Sequence, residues 1–230
     1  MSQTSEDLSE YLKPTDAIDC DHPDVIAFAK ETVGDAGDER EKARRLFYAV
    51  RDSIRYNPYS ADLSAAGMKA STTLKSKESF CVPKAVLLAA AARVVGIPSR
   101  LGFADVKNHL TTKRLQESMD TDLFVYHGYT ELYLGGKWIK VTPTFNLSLC
   151  EKFGVHPLEF DGEHECIFHE FSKSGGKHME YVRERGSYAD LPLQEILDAW
   201  VEYYGTDFGA RMQEEKKPTS DFEAEAAAEN

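Results

Sequence analysis

Apolar residues recur at three- and four-residue intervals in four stretches of the chain and alternate with polar ones in two, which divides it into helices and strands. Asp24 to Val33 reads as a short helix ended by Gly34, and Ala43, Leu46, Phe47, Val50 and Ile54 lie on one face of a longer one. Asp38 and Glu41 have the offset of a capping box before it, and Asn57-Pro58 stops it. From Tyr59 to Ser79 the pattern dissolves into Ser, Ala, Gly, Thr and Lys, the composition of a surface connection. Cys81 then opens the segment VPKAVLLAAAARVVGIP, with Pro83 in its first turn and Gly96 as its stop. A helix apolar on all sides must be central and buried.

Residues 104 to 121 are polar and irregular, with a turn or two of helix expected around Lys113 to Glu117. Leu123 to Leu134 has strand composition, and Gly135-Gly136 followed by KWIKV predicts a β-hairpin. A second hairpin is expected where CIFHEF meets HMEYV across SKSGGK. Asp190 is placed to cap a last helix, Leu191 to Tyr204, with Gly205 beyond its end. These elements predict an α+β fold in one domain, residues 23–211, with a flexible lead-in over 1–22. Residues 212–230 hold six acids and two lysines and are expected to form a disordered acidic tail.

Composition narrows the function. The 42% hydrophobic content supports a sizeable core, and the net charge of −12, with no local basic cluster, sets nucleic acid aside as a partner. The longest apolar run, Ala85 to Ala92, is far below the roughly 20 residues needed to cross a bilayer, so no membrane span is expected. The segment MSQTSEDLSEYLKP has neither the basic start nor the apolar stretch of a secretion signal, which sets the expectation of a cytoplasmic location. Cys20, Cys81, Cys150 and Cys166 are widely spaced with no CxxC pair, and read as reduced thiols.

Of the four, Cys81 stands at a helix start, where unpaired N–H groups and the helix dipole favour an anion and should lower its pKa. Alternation puts His127 on one strand face with Leu123, Val125, Tyr129, Glu131 and Tyr133. A two-residue turn at Gly135-Gly136 pairs Leu134 with Lys137, which sets Tyr129 opposite Thr142 and His127 opposite Thr144. A Cys and His pair needs a third group to fix the imidazole, and Thr142, diagonal to His127, is one candidate beside Thr144, Asn146 and a water molecule. His156, His164, Cys166, His169 and His178 could ligate a metal but lack zinc-like spacing, so neither metal nor cofactor is expected. Arg100 past a helix end reads as structural, and Asp105, Lys107, His109 and Lys113 as part of a substrate-covering segment. Cys20, Cys150 and Cys166 have no catalytic context.

Two stretches, SFCVPKAVLLAAAARVVGIPSR and YHGYTELYLGGKWIKVTPT, resemble the core of the transglutaminase-like superfamily. In that family a loop delivers a cysteine to an Ala-rich helix ending in GIP-[AS]-R. A strand with His, an aromatic and Glu follows, and after a Gly turn a Trp precedes by four residues an Asp followed by Pro and Thr. IRYNPYS upstream and YVRERGSYADLP downstream are also similar, so the resemblance extends from about Asp24 to Tyr204. It implies a papain-like α+β fold with the Cys-bearing helix packed on an antiparallel sheet, Cys81 as nucleophile and His127 as its partner. The third position holds Thr142 rather than Asp, and Ser79 stands where Gly is common.

The resemblance implies a transglutaminase-like cysteine hydrolase or acyltransferase acting through a thioester on a peptide, amide or other small acyl substrate. The Cys81 N–H would serve the oxyanion, with Tyr56 or Asn57 as a second donor by analogy. Two other readings stand beside it: an inactive binding module, because the Asp is missing, and a lyase or isomerase using the same thiol and histidine on an activated carbonyl compound.

Overall fold

The protein is described from a computed structural model, which covers residues 7–109, 111–167, 179–215 and 221–229. Helices α1 (Pro23–Val33) and α2 (Glu39–Ser53) fall where the periodicity puts them. Gly34 ends the first with φ +49°, and the Asp38 carboxylate accepts the N–H groups of Arg40 and Glu41 to start the second. The connection that follows is more ordered than its composition suggests. Strand β1 (Arg55–Tyr56) pairs in parallel with β2 (Glu78–Ser79), and helix α3 (Ala70–Ser76) lies between them with Thr73 and Leu74 buried. Helix α4 (Cys81–Val94) runs through the centre, with every residue from Cys81 to Arg93 buried.

A four-stranded antiparallel sheet packs against α4 in the order β5-β4-β3-β6, with β3 at Ser99–Asn108, β4 at Leu123–Leu134, β5 at Lys137–Val141 and β6 at Met179–Tyr188. The β4–β5 hairpin has the predicted ends and the predicted Leu134 to Lys137 pairing. Its ladder stops at Thr130–Val141, however, and Val141 turns to a parallel bridge with Cys166, so Thr142 and Thr144 do not pair with β4. Strand β3 corrects the expectation of an irregular segment after 104. It pairs on both sides, and its charged residues Arg100 and Asp105 find partners on β4 and β6 that composition cannot reveal. Helix α5 (Lys113–Met119) is the expected helical turn. Strand β6 pairs with β3; most of the expected second hairpin, 168–178, lies outside the described residues.

Helix α6 (Leu147–Phe153) precedes this segment, and α7 (Leu193–Tyr204) begins after Pro192. Asp190 does not cap α7: its carboxylate accepts Thr15 Oγ1 at 2.7 Å and the N–H groups of Asp16 and Ala17. Residues 15–17 are thereby held, and Ala17, Ile18 and Cys20 are buried. The described residues of the acidic end lie in α8 (Phe208–Glu215) and α9 (Phe222–Glu229) and at Asp221, with Met212, Phe222 and Ala226 buried. Of its acids, Glu225 pairs with Arg114 and Glu223 with Lys152. Among the described residues no helix is long and apolar enough to cross a membrane.

Candidate active site

The parallel ladder of β1 and β2 brings Cys81 to its place. Arg55 donates its N–H to the Lys77 carbonyl at 2.9 Å and Asn57 to that of Ser79 at 2.8 Å, so Tyr56 runs beside the two residues that lead into α4. Phe80 at the helix start caps it with no side-chain hydrogen bond, which leaves first-turn N–H groups unclaimed by side chains. The start of α4 packs directly on β4 at Gly128. A Cβ there would lie 3.1 Å from Val82 Cα and 3.2 Å from Val82 Cγ2, so glycine gives the two elements an approach that any side chain would crowd.

A β-bulge lies just before His127. Ala104 pairs with His127 and Val106 with Phe124, so Val125 and Tyr126 together oppose Asp105 alone. Tyr126 takes φ +58°, and its N–H donates to Asp105 Oδ1 at 3.1 Å. Side chains of α7 satisfy the neighbouring backbone. Trp200 Nε1 donates to the Val125 carbonyl at 2.9 Å, and the Tyr204 hydroxyl accepts the Val125 N–H at 2.6 Å while donating to the Leu123 carbonyl. Strict alternation from Leu123 to His127, expected from sequence, is broken here.

Cys81 and His127 line one cavity of about 70 Å³, mostly apolar, together with Tyr56, Trp200, Tyr204, Phe208 and Met212. Cys81 is 9% exposed and His127 4%. Burial pushes the Cys81 thiol up to about 11, while the N–H groups of Gly128, Val82 and Cys81 itself pull the other way. The lowered pKa expected of a helix start is thus outweighed by the burial of the thiol. Burial also raises Tyr56 well above the usual phenol value, with Cys81 adding to the effect.

The remaining candidates separate. Thr142 is buried but does not line the cavity; its N–H donates to the Cys166 carbonyl at 2.8 Å, and its hydroxyl makes no hydrogen bond among the described residues. The Thr144 hydroxyl makes none either. Asn146 braces Tyr56, accepting its N–H at 2.9 Å. Asn57 accepts the Tyr59 N–H and donates to Glu78, a local brace outside the cavity lining. Arg100 is structural: Nε lies 2.5 Å from Glu131 Oε2 and the guanidinium stacks 4.1 Å from the Trp138 ring. Asp105 holds Arg185 at 2.7 Å, Lys107 faces Asp122 and His109 faces Glu180, so these belong to the sheet rather than to a covering loop.

His164 pairs with Asp161 at 2.6 Å, and among the described residues no three His, Cys, Asp or Glu side chains converge to hold a metal; His169 and His178 lie outside them. Cys20, Cys150 and Cys166 are buried, and burial pushes Cys166 up to about 12. Sequence reasoning missed the contribution of α7 and α8 to the cavity. The amphipathic spacing of Trp200 and Tyr204 signals a buried face, but not what it covers.

The profile of the Transglutaminase-like superfamily matches residues 26–143, a span that holds Cys81, His127 and Thr142. Among solved structures, a candidate cysteine protease from Cytophaga hutchinsonii is 20% identical with a TM-score of 0.48, over 62% of this chain and 43% of that one. A candidate protease from Parabacteroides distasonis is 18% identical with a TM-score of 0.38, over 58% and 24%. A TGase is 18% identical with a TM-score of 0.38, over 64% and 35%. The chain therefore spans less than half the length of each of these proteins. No curated protein matches the sequence.

Proposed function

The chain belongs to the transglutaminase-like superfamily, and on that premise we propose that it is a cysteine-dependent acyl-transfer enzyme in which Cys81 attacks an amide or peptide carbonyl with His127 as its acid–base partner. The observation that carries this reading is the shared cavity: a helix-initial thiol, touched by the Gly128 N–H, opens into the same space as the side chain of the residue before Gly128. His127 takes the thiol proton, the sulfur adds to the acyl carbon, and His127 returns the proton to the departing amine, leaving a thioester on Cys81. Water, activated by the same imidazole, then adds to the thioester and releases the acid and the thiol; an amine in place of water gives transfer. The Cys81 N–H and the Tyr56 hydroxyl are the donors we assign to the oxyanion. Tyr56 is suited to this because Asn146 fixes its backbone and the rings of Phe145 and Phe222 hold its side chain at 4.8 and 5.5 Å.

The Thr142 hydroxyl, which makes no hydrogen bond among the described residues, favours a second reading, a binding module without turnover, since threonine offers no charged group to the imidazolium from that position. Intact-mass measurement after exposure to p-nitrophenyl acetate separates the two. The enzyme reading expects one acetyl group on Cys81, absent from Cys81→Ala and formed roughly a hundredfold more slowly in His127→Ala. Acetylation that ignores both substitutions, or that spreads over all four thiols, would overturn it in favour of the binding module.

A further inference from the structure

Cys81 is 9% exposed, and the space beside it, about 70 Å³, is roughly half the volume that admits a benzene molecule, so movement of an element around it widens access to the sulfur. Two helices, α7 and α8, line part of it. Helix α7 is fixed to β4 by the Trp200 and Tyr204 hydrogen bonds to the bulge backbone. Helix α8 contributes Phe208 and Met212 to the lining, and much of its attachment, with that of α9, is ionic.

All four carboxylates of the segment from 221 to 229 are held by the rest of the fold. Asp221 lies 3.3 Å from Arg55, and Glu223 accepts from Lys152 at 2.7 Å, Asn146 at 2.6 Å and Ser148 at 3.0 Å. Glu225 accepts from Arg114 at 2.6 Å and the Tyr59 hydroxyl at 2.8 Å, and Glu229 takes the Lys113 N–H at 3.0 Å. Between them Phe222 is 2% exposed, its ring set against those of Tyr56, Tyr59 and Phe153. Arg114 also pairs with Glu215, so one guanidinium on α5 fastens both α8 and α9.

We propose that α8 and α9 form a lid over Cys81, and that Arg55, Tyr59, Arg114, Asn146 and Lys152 form a docking surface for an acidic aromatic segment, filled in this state by the chain's own residues 221–229. Lid opening admits substrate and also water, which removes the burial that keeps the thiol protonated. Helices held by ion pairs to a surface belong to the low-stability end of a fold, and their hold weakens as salt screens the charges. The inference draws its purpose from Cys81 as a reactive thiol, but its test reads only access to that thiol and stands apart from catalysis.

The test is the rate of iodoacetamide labelling at Cys81, followed by mass spectrometry with Cys150, 0% exposed, as the internal control for unfolding. Arg114→Glu, and a chain ending at Thr206, should label at Cys81 about tenfold faster or more while Cys150 stays protected. A peptide of residues 207–230 added to the shortened chain should restore slow labelling, and wild type should label faster as salt rises from about 0.05 to about 0.5 M. Unchanged Cys81 labelling in Arg114→Glu, with no response of wild type to salt, would overturn the lid. Should the shortened chain expose Cys150 as well, the point variant and the salt series decide. Loss of labelling control with intact His127-dependent acetylation would count against the lid alone, and the converse against the enzyme reading alone.

Discussion

Replacing Lys84 by methionine should remove a pH dependence of stability that a single buried ammonium creates. Lys84 lies in the first turn of α4, fully buried, and donates to the Arg51 carbonyl at 2.9 Å and to that of Ile54, both at the end of α2. Burial pulls its pKa from 10.5 down to about 7, with the nearby Asp52 charge opposing the fall. The folded pKa lies below the unfolded one, so between them the unfolded chain binds more protons and stability rises with pH. From about pH 7, where the folded lysine is half protonated, to about pH 8.5, the rise is roughly 1–2 kcal/mol, given about 1.4 kcal/mol per unit at full slope. Cys81 and Cys166, raised to about 11 and about 12 from 9, act in the opposite sense. Below about pH 8.5 they take back only a few tenths of a kcal/mol, and the substitution does not touch them. Urea unfolding of wild type and Lys84→Met at the two pH values gives the answer as a difference of differences, which cancels the loss of the two hydrogen bonds. If the variant keeps the same pH response as wild type, Lys84 is still charged in the folded state, and the two carbonyls at the α2 terminus outweigh its burial.

Gly128→Ala should destabilise by about 1–3 kcal/mol in urea unfolding, since its Cβ would press on Val82 Cα at 3.1 Å and Phe103 Cε1 at 3.4 Å, backbone and ring with little room to yield. The same variant should slow acetylation of Cys81, because the shift falls on the contact between α4 and the strand of His127. Arg100→Ala leaves Glu131, 2% exposed, with Ser187 as its remaining side-chain donor, and should cost about 3–5 kcal/mol by the same measurement. Thr142→Asp supplies the carboxylate that the family resemblance expects at this position; if it reaches His127, acetylation of Cys81 should accelerate at least about tenfold, and an unchanged rate with a folded protein would remove that position from any orienting role.

The elements read from sequence and found at their predicted ends are those whose causes are local. Strand β4 and β5 declare themselves by composition and by two glycines with φ +58° and +83° at the turn. Helix α4 declares itself by an unbroken apolar surface with Gly96 at φ +82° to stop it. The elements missed are those whose polar residues are answered from far along the chain. Arg100 meets Glu131 across β4, Asp105 meets Arg185 on β6, and Asp190 ties down Thr15; none of these acids or bases carries a mark of its partner in its own neighbourhood.

The sequence by itself determined which cysteine begins a helix, which histidine follows it on a strand, and the family pattern that joins them, because capping, periodicity and turn chemistry act within a few residues. Only the tertiary structure decided how much water reaches the thiol. Tyr56, Trp200, Tyr204, Phe208 and Met212, drawn from both sides of it in the chain, line the space beside Cys81. Desolvation depends on everything packed around a group and not on the residues beside it in the chain, so burial raises the pKa of a thiol that the helix start alone would lower.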